Sequence, residues 1–310
     1  MINKKLKGQK AVAFGAVAGL LMGAWSMSSH AQTCTITNWE GGAVNDSLLF
    51  AGTPQDGNPR YAGPCSLAVS LDDDLAYVVD DSPIGEPAYI ARFYFNPNGN
   101  ASSSLPMIIY AANSASDGSG VDAFQVWYNV ASGVPFLAQP NHITLVVETA
   151  EGPVALEAGA TGVRANGWNS IEVVWSSGAN AEVRMSVNGQ SDLVTAPVDT
   201  SGQSVSSALL GVVGFPDGVS LVSASPMFFD DFDSRRQTRP GRLCRGLTDE
   251  NRDELTNVDV LAIFDEFASD GVNLANGIPD FNEDGVVNNV DLIGVFEQFS
   301  NDLGACEFNR

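Results

Sequence analysis

Between about Cys34 and Arg235 the chain is a succession of short runs in which every second residue is apolar. This period places one set of side chains on each face of a β-strand, and no stretch of the region shows the period of an amphipathic helix. Turn-forming residues separate the runs, and Asn188-Gly189 is a strong hairpin signal. Roughly a dozen strands in about two hundred residues predict one antiparallel β-sandwich with a large core. The clearest inward-facing sets are Ala91, Phe93 and Phe95; Ile143, Leu145 and Val147; Ile171, Val173 and Trp175; and Val183, Met185 and Val187.

The N-terminus has the three parts of a secretory signal peptide. Four lysines precede an apolar run from Ala11 to Met27, and the small residues of Ser29-His30-Ala31 follow. This order predicts a signal peptide over residues 1–31, cleaved after Ala31. The alternative is an uncleaved anchor, although the run is short and glycine-rich for a membrane span. We expect no membrane span after cleavage, and a protein secreted by a bacterium or held at its surface.

The chain is strongly acidic, with a formal net charge of -22 from 15 basic and 37 acidic residues. Such a surface predicts no nucleic-acid partner and disfavours anionic membranes, whereas cations are natural partners. The stretch RRQTRPGRLCR, residues 235–245, concentrates five arginines beside Pro240 and Gly241. We interpret residues 236–247 as a solvated linker between two acidic bodies. Binding of a polyanion is the alternative.

Four cysteines in an exported chain predict disulfides, for which three pairings are possible. We favour Cys34 with Cys65 and Cys244 with Cys306. The second bond would join the two ends of the C-terminal segment.

That segment contains a loop whose oxygen atoms are spaced to hold a divalent metal ion. Residues 280–291 read DFNEDGVVNNVD, with Gly285 at the sharp turn. Ligands at positions one, three, five, seven, nine and twelve are the pattern of an EF-hand calcium loop. The predicted calcium ligands are Asp280, Asn282, Asp284, the backbone carbonyl of Val286, Asn288 and Asp291.

Residues 249–267 repeat this arrangement in a shortened form, with Glu254 in place of the loop glycine. An apolar stripe at helical spacing follows each loop. The duplicated unit resembles a dockerin domain, the calcium-loop-plus-helix module of secreted bacterial proteins. The resemblance implies a second calcium held by Asp249, Asn251, Asp253, Asn257 and Asp259.

A dockerin implies a cohesin-like partner on a scaffold. Type I dockerins usually carry small hydroxyl residues at the tenth and eleventh loop positions. Here those positions hold Asn289 and Val290, and the first copy has Asn257 and Val258. Another surface protein is therefore the alternative partner.

Three short stretches of the large domain resemble laminin-G-like and concanavalin-A-like jelly rolls. They are GWNSIEVVW (167–175), AEVRMSVNGQ (181–190) and MFFDDFDSRR (227–236). The resemblance implies a jelly-roll fold. Members of this superfamily bind sugars, bind proteins, cleave glycans or space other domains, so fold does not fix function.

Catalytic signals are sparse. After cleavage the chain would keep one histidine, His142, and no lysine, which excludes Schiff-base chemistry and multi-histidine metal sites. No GxSxG elbow accompanies His142, so a structural role is the alternative to a triad base. The paired carboxylates of laminarinase-like jelly rolls, ExDxxE, are absent. The nearest acidic cluster is Asp230, Asp231 and Asp233, which reads as a solvated strand end or as a cation or catalytic site.

A binding surface is predicted in FQVWYNV, residues 124–130. If Phe124 faces the core, alternation places Gln125, Trp127 and Asn129 together on the open face. An aromatic ring stacks on the apolar face of a sugar while amides bind its hydroxyls. The alternative is that Trp127 is buried in the second layer of the sandwich.

These observations predict a signal peptide (1–31), a concanavalin-A/laminin-G-like β-sandwich (32–235), a linker (236–247) and a small α-helical dockerin-like calcium domain (248–310). We expect a secreted, non-catalytic recognition or surface-assembly protein that binds calcium and polysaccharide. A polysaccharide-degrading hydrolase or lyase with the same tail is the alternative, and a purely structural adhesin is the third hypothesis.

Overall fold

The computed structural model describes residues 34–53, 56–61, 65–102, 104–131, 137–221 and 225–240. The predicted signal peptide, both calcium loops and Cys244 with Cys306 lie outside these residues. Across the described ranges, no helix combines the length and apolar character needed to cross a membrane.

The described chain is built almost entirely of β-strands. Two short 3-10 helices, Ile36–Asn38 and Asp46–Leu48, are its helical elements. The fourteen strands are β1 (Ala43–Val44), β2 (Leu49–Gly52), β3 (Ser66–Val69), β4 (Ala76–Asp80), β5 (Ala88–Asn96), β6 (Met107–Asn113), β7 (Asp122–Ala131), β8 (Leu137–Val147), β9 (Val154–Ala158), β10 (Asn169–Ser176), β11 (Arg184–Val187), β12 (Leu193–Val194), β13 (Ser207–Gly214) and β14 (Met227–Arg235).

The strands form two seven-stranded antiparallel sheets. Sheet 1 has the order β1-β4-β13-β6-β7-β8-β9, and sheet 2 has the order β12-β11-β10-β5-β14-β3-β2. The chain crosses between the sheets repeatedly, and consecutive strands such as β6 to β9 pair as a meander within sheet 1. This arrangement confirms the predicted antiparallel β-sandwich.

The core lies between the two sheets and is rich in aromatic rings. Phe93 from sheet 2 stacks on Tyr110 from sheet 1, with ring centroids 5.0 Å apart. Phe95 contacts both Tyr128 and Phe229 at centroid distances of 5.0 and 5.2 Å. All of the predicted inward-facing sets are buried, because strand alternation directs them to this layer.

Two local predictions hold. Asn188 and Gly189 have φ angles of 55° and 69°, as the two central residues of a type I′ turn require. Cys34 and Cys65 form a disulfide, which joins the start of the described chain to β3.

The beginning of the predicted linker is not a solvated hinge. Residues 236–240, here called the arginine strap, lie against sheet 2. Arg239 forms two hydrogen bonds to Asp192, at 2.7 and 2.8 Å, and an ion pair with Glu172. Arg236 lies 3.3 Å from a carboxylate oxygen of Glu86, and its guanidinium lies over the Tyr89 ring at 4.8 Å. The composition of residues 236–247 suggested a linker. The acidic partners of these arginines, Glu86, Glu172 and Asp192, are far away in sequence, so composition alone does not reveal the ion pairs.

Candidate functional site

The candidate site is on the outer side of sheet 1, at strands β6 to β9. Phe124, Val126 and Tyr128 of β7 point into the core and are fully buried. Trp127 points to the other side, where it is partly exposed. The predicted orientation of Trp127 is therefore observed, and burial of this ring within the core is not.

Hydrogen bonds fix the indole of Trp127. Its Nε1 donates to Oε1 of Gln125 at 2.9 Å, and Nε2 of Gln125 donates to Asp122 at 2.7 Å. The other carboxylate oxygen of Asp122 accepts from Nδ2 of Asn113, also at 2.7 Å. A ring held in this way loses little rotational freedom when a ligand stacks on it.

Strand register places three more side chains in a row with Trp127. Ile108 of β6 pairs with Trp127, Trp127 with Thr144 of β8, and Thr144 with Glu157 of β9. The Thr144 hydroxyl donates to the Val130 carbonyl and the side chain is fully buried, so Thr144 lies beneath the accessible surface of the row. Trp127 and Glu157 are separated by two strand spacings, or about 10 Å.

His142 lies next to this row and contacts Glu157. Its Nδ1 lies 2.8 Å from the Pro140 carbonyl, and since a carbonyl oxygen only accepts, Nδ1 carries a proton. The opposite nitrogen, Nε2, lies 3.3 Å from Oε1 of Glu157. Both side chains are partly accessible, at 17% and 28% of their surface. Within the described contacts the ring meets a backbone oxygen and a carboxylate, so no serine–histidine pair is present.

Asn129 does not belong to the open face, contrary to the sequence prediction. The register between β7 and β8 shifts between Tyr128 and Val130, and Asn129 has a φ of 59°. Its fully buried amide donates to the carbonyls of Asn100 and Leu105, at 2.8 and 3.0 Å. The bulge breaks the two-residue period, so the side chain turns inward and holds loops together.

The aspartate cluster at the end of the domain has structural partners. Asp230 accepts a hydrogen bond from the Tyr61 backbone N–H at 2.6 Å. Asp231 and Asp233 lie 3.9 and 3.8 Å from the buried guanidinium of Arg92. No group of three or more metal-ligating side chains occurs among the residues that the structure describes. The cluster is therefore part of an ionic network on sheet 2.

Sheet 1 is acidic. Its strands contain Asp80, Asp122 and Glu157 and neither arginine nor lysine. Asp122 is five residues from Trp127 along β7, about 16 Å at a strand rise of about 3.3 Å. Glu157 lies in the row of Trp127, so these two carboxylates are further apart than the roughly 5 to 9.5 Å that glycosidases use.

Sequence reasoning predicted the outward positions of Gln125 and Trp127, which the structure shows, but did not single out Glu157, Asp122 or Thr144. Glu157 stands out within VALEA only as a charged residue in an apolar run. Its position in the same row as Trp127 depends on how β7, β8 and β9 pair. The alternation of apolar residues within each strand does not show how the connecting loops align one strand with the next.

No protein-family model matches the chain, and no curated protein matches it. Solved structures do match. One is an endo-β-1,4-glucuronan lyase from the fungus Trichoderma reesei, with 12% identity and a TM-score of 0.46, covering 65% of this chain and 92% of that one. Another is an alginate lyase in complex with dimannuronate, with 13% identity and a TM-score of 0.40, covering 56% of this chain and 76% of that one.

A third match is the binding domain of botulinum neurotoxin serotype D/C, with 11% identity and a TM-score of 0.40. It covers 63% of this chain and 44% of that domain, so this chain spans less than half of it. Similarities of this size carry no information on what the chain binds, and the site must be interpreted from its own geometry.

Proposed function

We propose that the sandwich is a non-catalytic glycan-recognition domain, and that it binds neutral saccharides on the outer side of β6 to β9. The observation that carries this proposal is the partly exposed Trp127 ring, held by Gln125 and Asp122 on a rigid strand. Aromatic platforms of this kind bury the apolar face of a sugar, and neighbouring polar groups receive its hydroxyls. Glu157 and the accessible part of Gln125 provide such groups.

Catalysis is less well supported by the described residues. Asp122 and Glu157 are too far apart to act as a glycosidase pair. Cleavage of a polyuronate requires an anionic sugar to lie against the sheet, and sheet 1 contains three carboxylates and no basic side chain except His142. Binding without turnover is therefore favoured over a hydrolase or lyase.

The experiment is a glycan array probed with the mature chain, followed by calorimetry and a reducing-sugar assay on the glycans that bind. We expect neutral glycans to bind without release of reducing ends. Trp127→Ala should weaken binding by about 2 kcal/mol, or about thirtyfold, as expected for a central aromatic anchor. Phe50→Ala is the matched control, since Phe50 is an exposed aromatic residue on the edge strand β2 of sheet 2.

Equal affinity of the Trp127→Ala variant and the unaltered protein would contradict the proposed site. Turnover in the reducing-sugar assay would instead favour the hydrolase or lyase hypothesis. No binding to any glycan, with a folded protein, would favour a structural adhesin.

We also propose that the protein is exported, and that residues 248–310 form a dockerin-like calcium module which attaches the sandwich to another surface protein. The support is the ligand spacing of residues 280–291 and the partial repeat at 249–259. Calcium in this proposal acts as a folding ligand of the tail.

A further inference from the structure

Glu157 is placed to control which glycans the Trp127 face accepts. It lies two strands from Trp127 in the same row, and Thr144 of the intervening strand β8 is buried. A short oligosaccharide that stacks on Trp127 and runs across the strands would therefore cross β8 and reach the Glu157 carboxylate.

His142 is the described neighbour of Glu157 on this face. The imidazole is itself fixed by the Pro140 carbonyl, and its Nε2 lies 3.3 Å from Oε1 of Glu157. Gly159, directly after β9, lies near the ring: a Cβ at this position would be 3.8 Å from Nε2 of His142. The Glu157 carboxylate lies beside the imidazole, and 28% of its side chain is accessible.

We propose that Glu157 is the charge-selecting residue of this face. It accepts hydrogen bonds from the hydroxyls of neutral saccharides and repels the carboxylates of uronates. Two like charges about 4 Å apart at a protein surface correspond to about tenfold or more in affinity. This inference rests on the proposed glycan-binding function and specifies its substrate class.

The test uses the full chain and pairs of probes that differ only in charge. Six-residue β-1,4-linked glucan, mannan and galactan oligosaccharides are compared with the same oligosaccharides oxidised at C6 to uronates. We expect the unaltered protein to prefer the neutral member of a pair by about tenfold. Glu157→Gln keeps the shape and the polarity of the side chain, and should reduce this preference to about threefold or less by strengthening uronate binding.

Glu182→Gln is the control variant. Glu182 is also an exposed carboxylate with an ionic partner, Arg184 at 3.0 Å, but it lies beside β11 in sheet 2. It should leave the preference unchanged. A second measurement needs no variant, because salt screens charge repulsion. Raising the ionic strength should bring the two affinities of the unaltered protein together.

The outcomes separate the two proposals. If Trp127→Ala abolishes binding but Glu157→Gln and added salt leave the preference as it was, the role of Glu157 is refuted and the glycan site stands. If Trp127→Ala binds normally, or if no glycan of the array and neither member of any pair binds, the proposed function fails together with this inference.

Discussion

Asparagine residues carry much of the turn geometry in this molecule. In the described ranges seven residues other than glycine have positive φ, and five of them are asparagines. The side chain of asparagine tolerates this conformation because its amide bonds to nearby backbone groups. Asn129 shows the result: its Oδ1 accepts from the Asn141 N–H at 2.8 Å while its Nδ2 binds two loop carbonyls.

Asn129 therefore provides a residue-scale test of stability. Asn129→Ala should lower the free energy of unfolding by about 2–4 kcal/mol, because buried carbonyls lose their donor and alanine is strained at positive φ. Asn129→Gly removes the same hydrogen bonds without the strain, so we expect a smaller loss. Urea denaturation measures the stability of both variants. Identical stabilities of the alanine and glycine variants would argue against the strain contribution.

The residues of β7 also show what the sequence could predict. Alternation placed Gln125 and Trp127 correctly, because the pairing of β7 with β8 is regular from Phe124 to Tyr128. It failed at Asn129, since the positive φ of this residue and the register shift between Tyr128 and Val130 interrupt the alternation of inward and outward positions. Local composition does not distinguish such an asparagine from an exposed amide.

At the scale of elements, the arginine strap covers part of sheet 2. Glu172 is almost buried, and Arg239 supplies its ionic partner from outside the sheet. The two hydrogen bonds from Arg239 to Asp192 fix the orientation of the guanidinium group. The strap extends the folded domain to at least residue 240, beyond the boundary predicted at 235.

Removal of Arg239 should loosen this element. Arg239→Ala leaves the Glu172 carboxylate without this partner and should destabilise the sandwich by about 1–2 kcal/mol. Arg235→Ala is the control, because Arg235 pairs with Asp233 at an exposed position where an ion pair contributes little. Thermal melting compares the two variants, and equal shifts would contradict a specific role for the strap.

The strap also predicts a dependence on pH. Hydrogen bonds from Arg239 hold the pKa of Asp192 below its ordinary value. The carboxylate therefore contributes stability that is fully present above the unfolded-state pKa of about 3.9 and is lost as the pH falls through the lower pKa of the folded state. Asp192→Asn should be less stable than the unaltered protein at neutral pH. The difference should shrink below about pH 4, and a constant difference down to pH 2 would contradict this assignment.

At the scale of the whole molecule, the fold class was predictable because alternation over many strands outweighs errors at single residues. The Cys34–Cys65 bond followed from an even cysteine count and a choice among three pairings. The strap and the position of Glu157 were not predictable. Both depend on contacts between residues far apart in sequence, such as Arg239 with Glu172, which no local period encodes.

The C-terminal segment, residues 248–310, allows a prediction about how the whole molecule responds to calcium removal. If residues 248–310 fold around calcium, chelation should remove one thermal transition and leave that of the sandwich in place. At a hundredfold excess over the dissociation constant, bound calcium stabilises a domain by about 2.7 kcal/mol. Asp280→Ala together with Asp291→Ala should reproduce the effect of the chelator. Calorimetric melts that are identical with and without chelator would contradict the calcium proposal.

The most direct test of glycan binding at Trp127 follows the indole N–H groups by NMR during a glycan titration of the isotope-labelled protein. The full sequence contains five tryptophans, and the resonance of Trp127 can be assigned from a Trp127→Phe variant. We expect a neutral oligosaccharide to shift the Trp127 resonance in a saturable manner and to leave that of the buried Trp175 in place. Saturable binding that leaves the Trp127 resonance unmoved would contradict glycan binding at this residue.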